Sequence, residues 1–148
     1  MLDPSRVEPS PWNNGAGSTR ELAAETDPDG QTLWRISIAS LDHDAPFSVF
    51  PGMDRLFVAL GPLRLTVDGA TSAMTAGEQA RFAGEAAVAI SLDEPTTALN
   101  VMTRRGRYRA EVTLRDADEV APDGVDATVR LGNRHADVRL GRQTEETR

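Results

Sequence analysis

Short runs along this chain alternate apolar and polar residues with a period of two, and two of them are especially clear. Over Leu33–Ser40, Trp34, Ile36 and Ile38 fall on one face of an extended segment, and Leu33, Arg35, Ser37 and Ala39 on the other. Over Thr97–Arg104, Leu99, Val101 and Thr103 oppose Asn100, Met102 and Arg104. Each run has one face suited to a core, and a second that mixes small, polar and cationic groups, suited to solvent or to a lined cavity. Comparable runs predict strands at Arg20–Glu25, Arg55–Leu60, Leu63–Val67, Ala80–Phe82, Ala87–Leu92, Tyr108–Leu114, Ala127–Leu131 and Ala136–Leu140. Asp29-Gly30, Asp68-Gly69 and Asp123-Gly124 separate them, and Asp-Gly suits tight hairpin turns because both residues tolerate positive φ. The alanine-rich stretch Glu78–Ala89 is interrupted by Gly84, so any helix should be short, below about a tenth of the chain against the usual ~30–35%. Many short antiparallel strands predict an all-β sandwich or barrel.

Composition narrows the chemistry. A length of 148 residues fits one domain, residues 1–148, with a core of its own. No window approaches the ~18 consecutive apolar residues of a membrane span, and the opening MLDPSRVEPS lacks the apolar run of a secretion signal, so a cytoplasmic protein without membrane attachment is expected. The absence of cysteine excludes disulfides, a thiolate nucleophile and Cys-based metal sites. A formal charge of −7 argues against nucleic acid, whose phosphates need clustered cations. All 16 basic residues are arginine, which removes Schiff-base chemistry. After about Asp116 aromatic residues vanish and charges crowd in, and Gly141–Arg148 reads as a mobile tail.

Four blocks stand in order along the chain: Trp12-Asn13-Asn14-Gly15-Ala16-Gly17-Ser18-Thr19-Arg20-Glu21; Trp34-Arg35-Ile36-Ser37-Ile38-Ala39; Pro46-Phe47-Ser48 through Phe50-Pro51-Gly52 and Asp54-Arg55; and Leu99-Asn100-Val101-Met102-Thr103-Arg104-Arg105-Gly106. Together they resemble the HutD/Ves family. The chain departs from the family pattern at Asn13, Ala16 and Ala98, where relatives usually carry a cation, a glycine and an aspartate. Family members also tend to run longer. The resemblance implies a cupin-like, RmlC-type antiparallel β-barrel or sandwich, a link to histidine utilisation, no established catalysis, and regulation through a bound small carboxylate.

The candidate chemistry is sparse. Metal-binding cupins use several histidines, whereas this chain has two, His43 in a polar loop and His135 in the charged C-terminal part, so both are expected at the surface and no metal or other cofactor is expected. Asp42-His43-Asp44 lacks a nucleophile elbow, and Gly15-Ala16-Gly17-Ser18-Thr19 lacks the lysine of a nucleotide-binding loop and reads as a tight loop entering a strand. Arginine offers a planar fork for a carboxylate, which singles out Arg35, Arg55 and Arg104. Arg35 leads because it lies within the most hydrophobic strand; the other two stand near strand ends. Trp12 and Phe50 suit a core or the wall of a cleft. The ligand-binding set is Trp12, Asn14, Thr19, Glu21, Arg35, Ser37, Phe50, Arg55, Asn100 and Arg104, with Arg35 as the carboxylate anchor, Asn100 as a neutral donor and acceptor, and no catalytic residue assigned.

Three readings follow. The first is a non-catalytic binder of a small anionic metabolite, such as urocanate, formate or a related acid, that regulates histidine utilisation. The second is a metal-independent cupin-type isomerase or hydrolase acting on a small acid, with Glu21 as general acid or base. The third is a protein-interaction module without ligand. A homodimer is compatible with each.

Overall fold

The two clearest runs, strands β3 (Thr32–Leu41) and β10 (Thr96–Arg104), pair antiparallel in the middle of a six-stranded sheet. β10 pairs on its other side with β5 (Met53–Ala59), and β8 (Gln79–Ala83) forms the edge beyond it; β2 (Gly17–Thr26) and the two-residue β1 (Ser10–Pro11) lie beyond β3. A second sheet orders β4 (Ala45–Pro46), β9 (Val88–Ser91), β6 (Leu63–Val67) and β7 (Ala70–Met74). A third sets β13 (Arg134–Arg142) between β11 (Tyr108–Asp116) and β12 (Ala127–Leu131). This is a computed structural model; it describes residues 1–143, and its only helical element there is the 3-10 turn Pro4–Arg6.

Alternation on the central sheet serves two cores. Ile36, Ile38, Leu56, Val58, Leu99 and Val101 face the three-stranded sheet and pack with Val112, Val129 and Val138. On the opposite face Ala39, Phe57, Ala59 and Ala98 pack with Leu63, Leu65, Met74, Val88 and Ile90 of the four-stranded sheet. Burying a side chain of the size of Phe57 stabilises by roughly 1.5–3 kcal/mol, and Phe57 is fully enclosed. The all-β, cupin-like architecture is as expected, built from stacked open sheets, with no single closed hydrogen-bonded barrel among the described residues. Between β8 and β11, side chains do what a backbone ladder does elsewhere: Gln79 donates to the Val112 carbonyl at 2.9 Å and Arg81 to the Ala110 carbonyl at 2.7 Å.

The ten predicted strands are all present, most a residue or two longer at the ends. Asp68-Gly69 is the two-residue hairpin turn expected: Val67 pairs with Ala70, and the two turn residues have φ of 48° and 87°. Asp29-Gly30 also lies in a hairpin, between β2 and β3, where the Asp27 carboxylate accepts from the Asp29 and Gln31 amides. Asp123-Gly124 does not close a hairpin, because β11 and β12 on either side of it flank β13 and do not pair. Three strands were not anticipated, β1, β4 and β7; Ala70-Thr71-Ser72-Ala73 in β7 is an exposed edge with no large apolar residue to announce it.

The C-terminal third also differs from expectation. Gly141 and Arg142, placed in the expected tail, pair with Arg109 and Tyr108 as the end of β13, and residues 144–148 of that tail lie outside the described residues. His135, expected at the surface, is 8% exposed within β13. It accompanies Asp137, whose carboxylate accepts from Arg115 at 2.7 Å and Thr128 at 2.8 Å. No helix among the described residues is long and apolar enough to cross a membrane.

Candidate functional site

Register places the polar face of the central sheet at the bottom of a cleft of about 400 Å³. Three cross-strand rows run over β3, β10 and β5: Ala39, Ala98 and Ala59; then Ser37, Asn100 and Phe57; then Arg35, Met102 and Arg55. The cleft therefore passes from Ala39 through the neutral polar Ser37 and Asn100 to two guanidiniums, with Met102 between them. Two segments wall it. One is the loop from Trp12, where the indole donates to the Thr19 hydroxyl at 2.8 Å and the Asn14 side chain accepts from the Ala16 amide at 2.9 Å. The other runs from Phe47 to Phe50, fastened by amide bonds from Phe47 to the Val88 carbonyl and from Phe50 to the Gly84 carbonyl, both 2.8 Å.

Arg55 has the most unusual surroundings. It is 7% exposed, and the rings of Phe47, Phe50 and Phe82 stand 5.1–5.3 Å from its Cζ. Its polar partners are both neutral and distant, the Ser48 carbonyl and the Asn100 side-chain oxygen at 3.3 Å each, and its Nε has no hydrogen bond. Among the described residues no carboxylate lies within ion-pair distance of it. Burial, and secondarily the nearby Arg35, lower its pKa to about 10. Face-on aromatic rings partly compensate a buried cation, each by about 0.5–2 kcal/mol, but supply no hydrogen-bond acceptor.

Arg35 is closer to the mouth, its side chain 30% exposed, with its Cζ 5.5 Å from the Phe50 centroid. Its Nε is 3.6 Å from a Glu21 oxygen, close enough for ion pairing but too far for a hydrogen bond, and that Nε is buried without a partner.

Eight of the ten candidate residues line the cleft: Trp12, Asn14, Thr19, Arg35, Ser37, Phe50, Arg55 and Asn100. Glu21 does not; it stands outside on β2, its side chain 56% exposed. Arg104 does not either: it donates to the Thr32 carbonyl at 3.1 Å and the Pro51 carbonyl at 3.5 Å, tying the start of β3 to the turn before β5. The order of the arginines also changes, because Arg55 is the deeper of the pair. Sequence reasoning omitted Met102, Phe47, Ser48 and Asn13, which also line the cleft. Alternation already set Met102 beside Asn100, whereas nothing local announced that Phe47 and Phe82 meet over Arg55. His43 is exposed, and among the described residues no group of three or more His, Asp or Glu side chains could hold a metal ion.

Stacked antiparallel sheets with a polar-bottomed cleft at one end define a cupin-like protein. An RmlC-like cupin from Shewanella frigidimarina superposes with a TM-score of 0.54 at 12% identity, covering 68% of this chain and 86% of that one. HutD from Pseudomonas fluorescens SBW25, in a formate condition, superposes over 97% of this chain and 98% of that one, with a TM-score of 0.80 at 24% identity. The HutD family model matches residues 5–147, and the chain belongs to the HutD family. The protein Ves of Citrobacter koseri is 36% identical over 110 residues, which is 71% of this chain but 58% of that relative's length.

Proposed function

We propose that this protein binds a small anionic metabolite in the cleft, with Arg55 as the inner anchor and Arg35 at the mouth, and that it acts as a cytoplasmic regulator of histidine utilisation. The observation that carries the reading is the Arg55 guanidinium, buried among three rings with neutral partners at 3.3 Å and an unsatisfied Nε. A buried charge is costly until it is paired, and a ligand carboxylate would supply the missing acceptor with two parallel bonds. Asn100 sits beside it, its oxygen turned to Arg55 and its amide left to donate. The cleft wall supports binding over acid–base catalysis: it includes no Asp, Glu, His, Lys or Tyr among the described residues, and Glu21, the candidate general base, lies outside.

The test is thermal unfolding with sodium formate and with urocanate, against formamide and sodium chloride as controls. At a concentration of about 100 times the dissociation constant, linkage adds roughly 2.7 kcal/mol. That is a rise in Tm on the order of 5–10 °C for a domain of this size. So few atoms limit the affinity of formate, so high concentrations are needed to reach saturation. A shift with either acid that formamide and chloride do not reproduce supports the reading; equal shifts with all four, or none, overturn it. Turnover of either acid would favour a metal-independent enzyme.

A further inference from the structure

Glu21 has the geometry of a counter-ion that can leave. In the pairing of β2 with β3, Glu21 faces Ser37 and Ala23 faces Ile36, so Leu22 is an extra residue that bulges the strand. The bulge keeps Leu22 packed on the first core while Glu21 stays on the cleft side, diagonal to Arg35. There it comes within 3.6 Å of the Arg35 Nε without satisfying it. More than half of the Glu21 side chain is in water, so moving it away costs little desolvation.

We propose that Glu21 is a resident competitor for Arg35: an approaching anion displaces it, and its presence sets how strongly an anion must interact to engage Arg35. This rests on anion binding in the cleft and adds the means by which its affinity is limited. A ligand that reaches only Arg55 leaves the Glu21–Arg35 pair in place. One that also brings negative charge to Arg35 takes over the guanidinium, and Glu21 turns to solvent. Because the displaced pair is half-exposed and loosely made, Glu21 weakens binding by a small factor and does not block it.

The experiment is a double-mutant cycle read by calorimetric titration with sodium formate and sodium succinate, the longer dianion able to approach both arginines. The variants are Glu21→Gln, Arg35→Gln and the pair combined. Glu21→Gln should tighten succinate by about two- to five-fold, the range of an exposed ion pair. In the Arg35→Gln background, where Arg55 remains to bind, the same change should have no effect. Weaker succinate binding in Glu21→Gln would mean that Glu21 orients Arg35 for the ligand, and would overturn the proposal. So would equal tightening in both backgrounds, which would be a general field effect of removing a negative charge. If wild type binds neither anion but Glu21→Gln binds succinate, competition stands and the affinity assigned to the native cleft is wrong. If neither protein binds, both ideas fail.

Discussion

Arg35 and Arg55 occupy one cross-strand row on either side of Met102 and share a single ring, their Cζ atoms 5.5 and 5.3 Å from the centroid of Phe50. Two like charges thus converge on the same end of the cleft, and the inner one has no carboxylate among the described residues. The fold bears the cost of this arrangement, which a bound anion, on the function proposed above, would relieve.

Replacing the inner charge should separate stability from binding. Arg55→Met keeps an elongated side chain among the three rings and removes a buried charge that the rings compensate only in part, so unfolding in urea should give a stability within about 1 kcal/mol of wild type or above it. The formate-dependent rise in Tm should be lost. A loss of several kcal/mol would show instead that the guanidinium holds the aromatic wall together.

Another arginine acts as a clasp behind that wall. Arg105 donates to Glu85 at 2.7 Å and to Asp54 at 2.9 Å, while Glu85 accepts from the Gly52 amide at 2.7 Å. The Arg105 bond, then the Gly52 amide, lower the Glu85 carboxyl from 4.5 to about 2. Its folded pKa lies below its unfolded one, so its contribution is fully present above about 4.5 and is lost as pH falls through about 2. Glu85→Gln should therefore melt below wild type at neutral pH, and the two curves should converge near pH 2. A gap that persists at that pH would assign the effect to something other than charge.

The three-stranded sheet has an ion pair of its own, far less exposed. Burial alone would raise the Asp137 carboxyl; hydrogen bonds from Arg115 and Thr128 outweigh it and hold the group below its usual range. Arg115 and Asp137 side chains are 11% and 1% exposed, so Asp137→Ala strands a largely buried cation. Urea denaturation should show a loss of about 3–5 kcal/mol. Formate affinity of the folded fraction should not change, since the pair lies on a sheet that does not line the cleft.

Gly84 holds the end of the aromatic wall, its carbonyl accepting from the Phe50 amide at 2.8 Å. A Cβ there would collide with the Phe50 carbonyl oxygen and stand 2.8 Å from that of Met53. Gly84→Ala must displace the Phe50 backbone, whose ring stands over Arg55, at about 1–3 kcal/mol of stability. The formate-induced rise in Tm should shrink with it. An unchanged rise would mean that the wall has no part in binding.

How much of this could be read from the chain follows from which interactions are local. Alternation fixed the faces of β3 and β10, and with them Arg35, Ser37, Asn100 and Met102, because side-chain direction in a strand depends on position alone. The same rule is blind to depth. Arg55 reads as peripheral because it opens the predicted strand Arg55–Leu60; it is in fact the third residue of β5, and its burial comes from Phe47, Phe50 and Phe82, which converge only after the sheets stack. His135 is hidden from the sequence for a related reason: charged neighbours suggest a surface, but Arg115, its register partner on β11, and Asp137 neutralise one another in an ion pair of low exposure. β7 escaped because an exposed edge strand does not need apolar side chains.

The central position of β3 and β10, with a packed core on either face, also bears on timing. Their amides should be among the last to exchange with deuterium, since opening either strand disrupts both cores at once. Arg35, Ser37 and Asn100 therefore project from the slowest part of the molecule, and little ordering of the backbone remains for the moment of encounter. On the binding proposed above, the entropy lost on association would then fall mainly on the guest, and a flexible guest would be penalised more than a rigid one of equal charge.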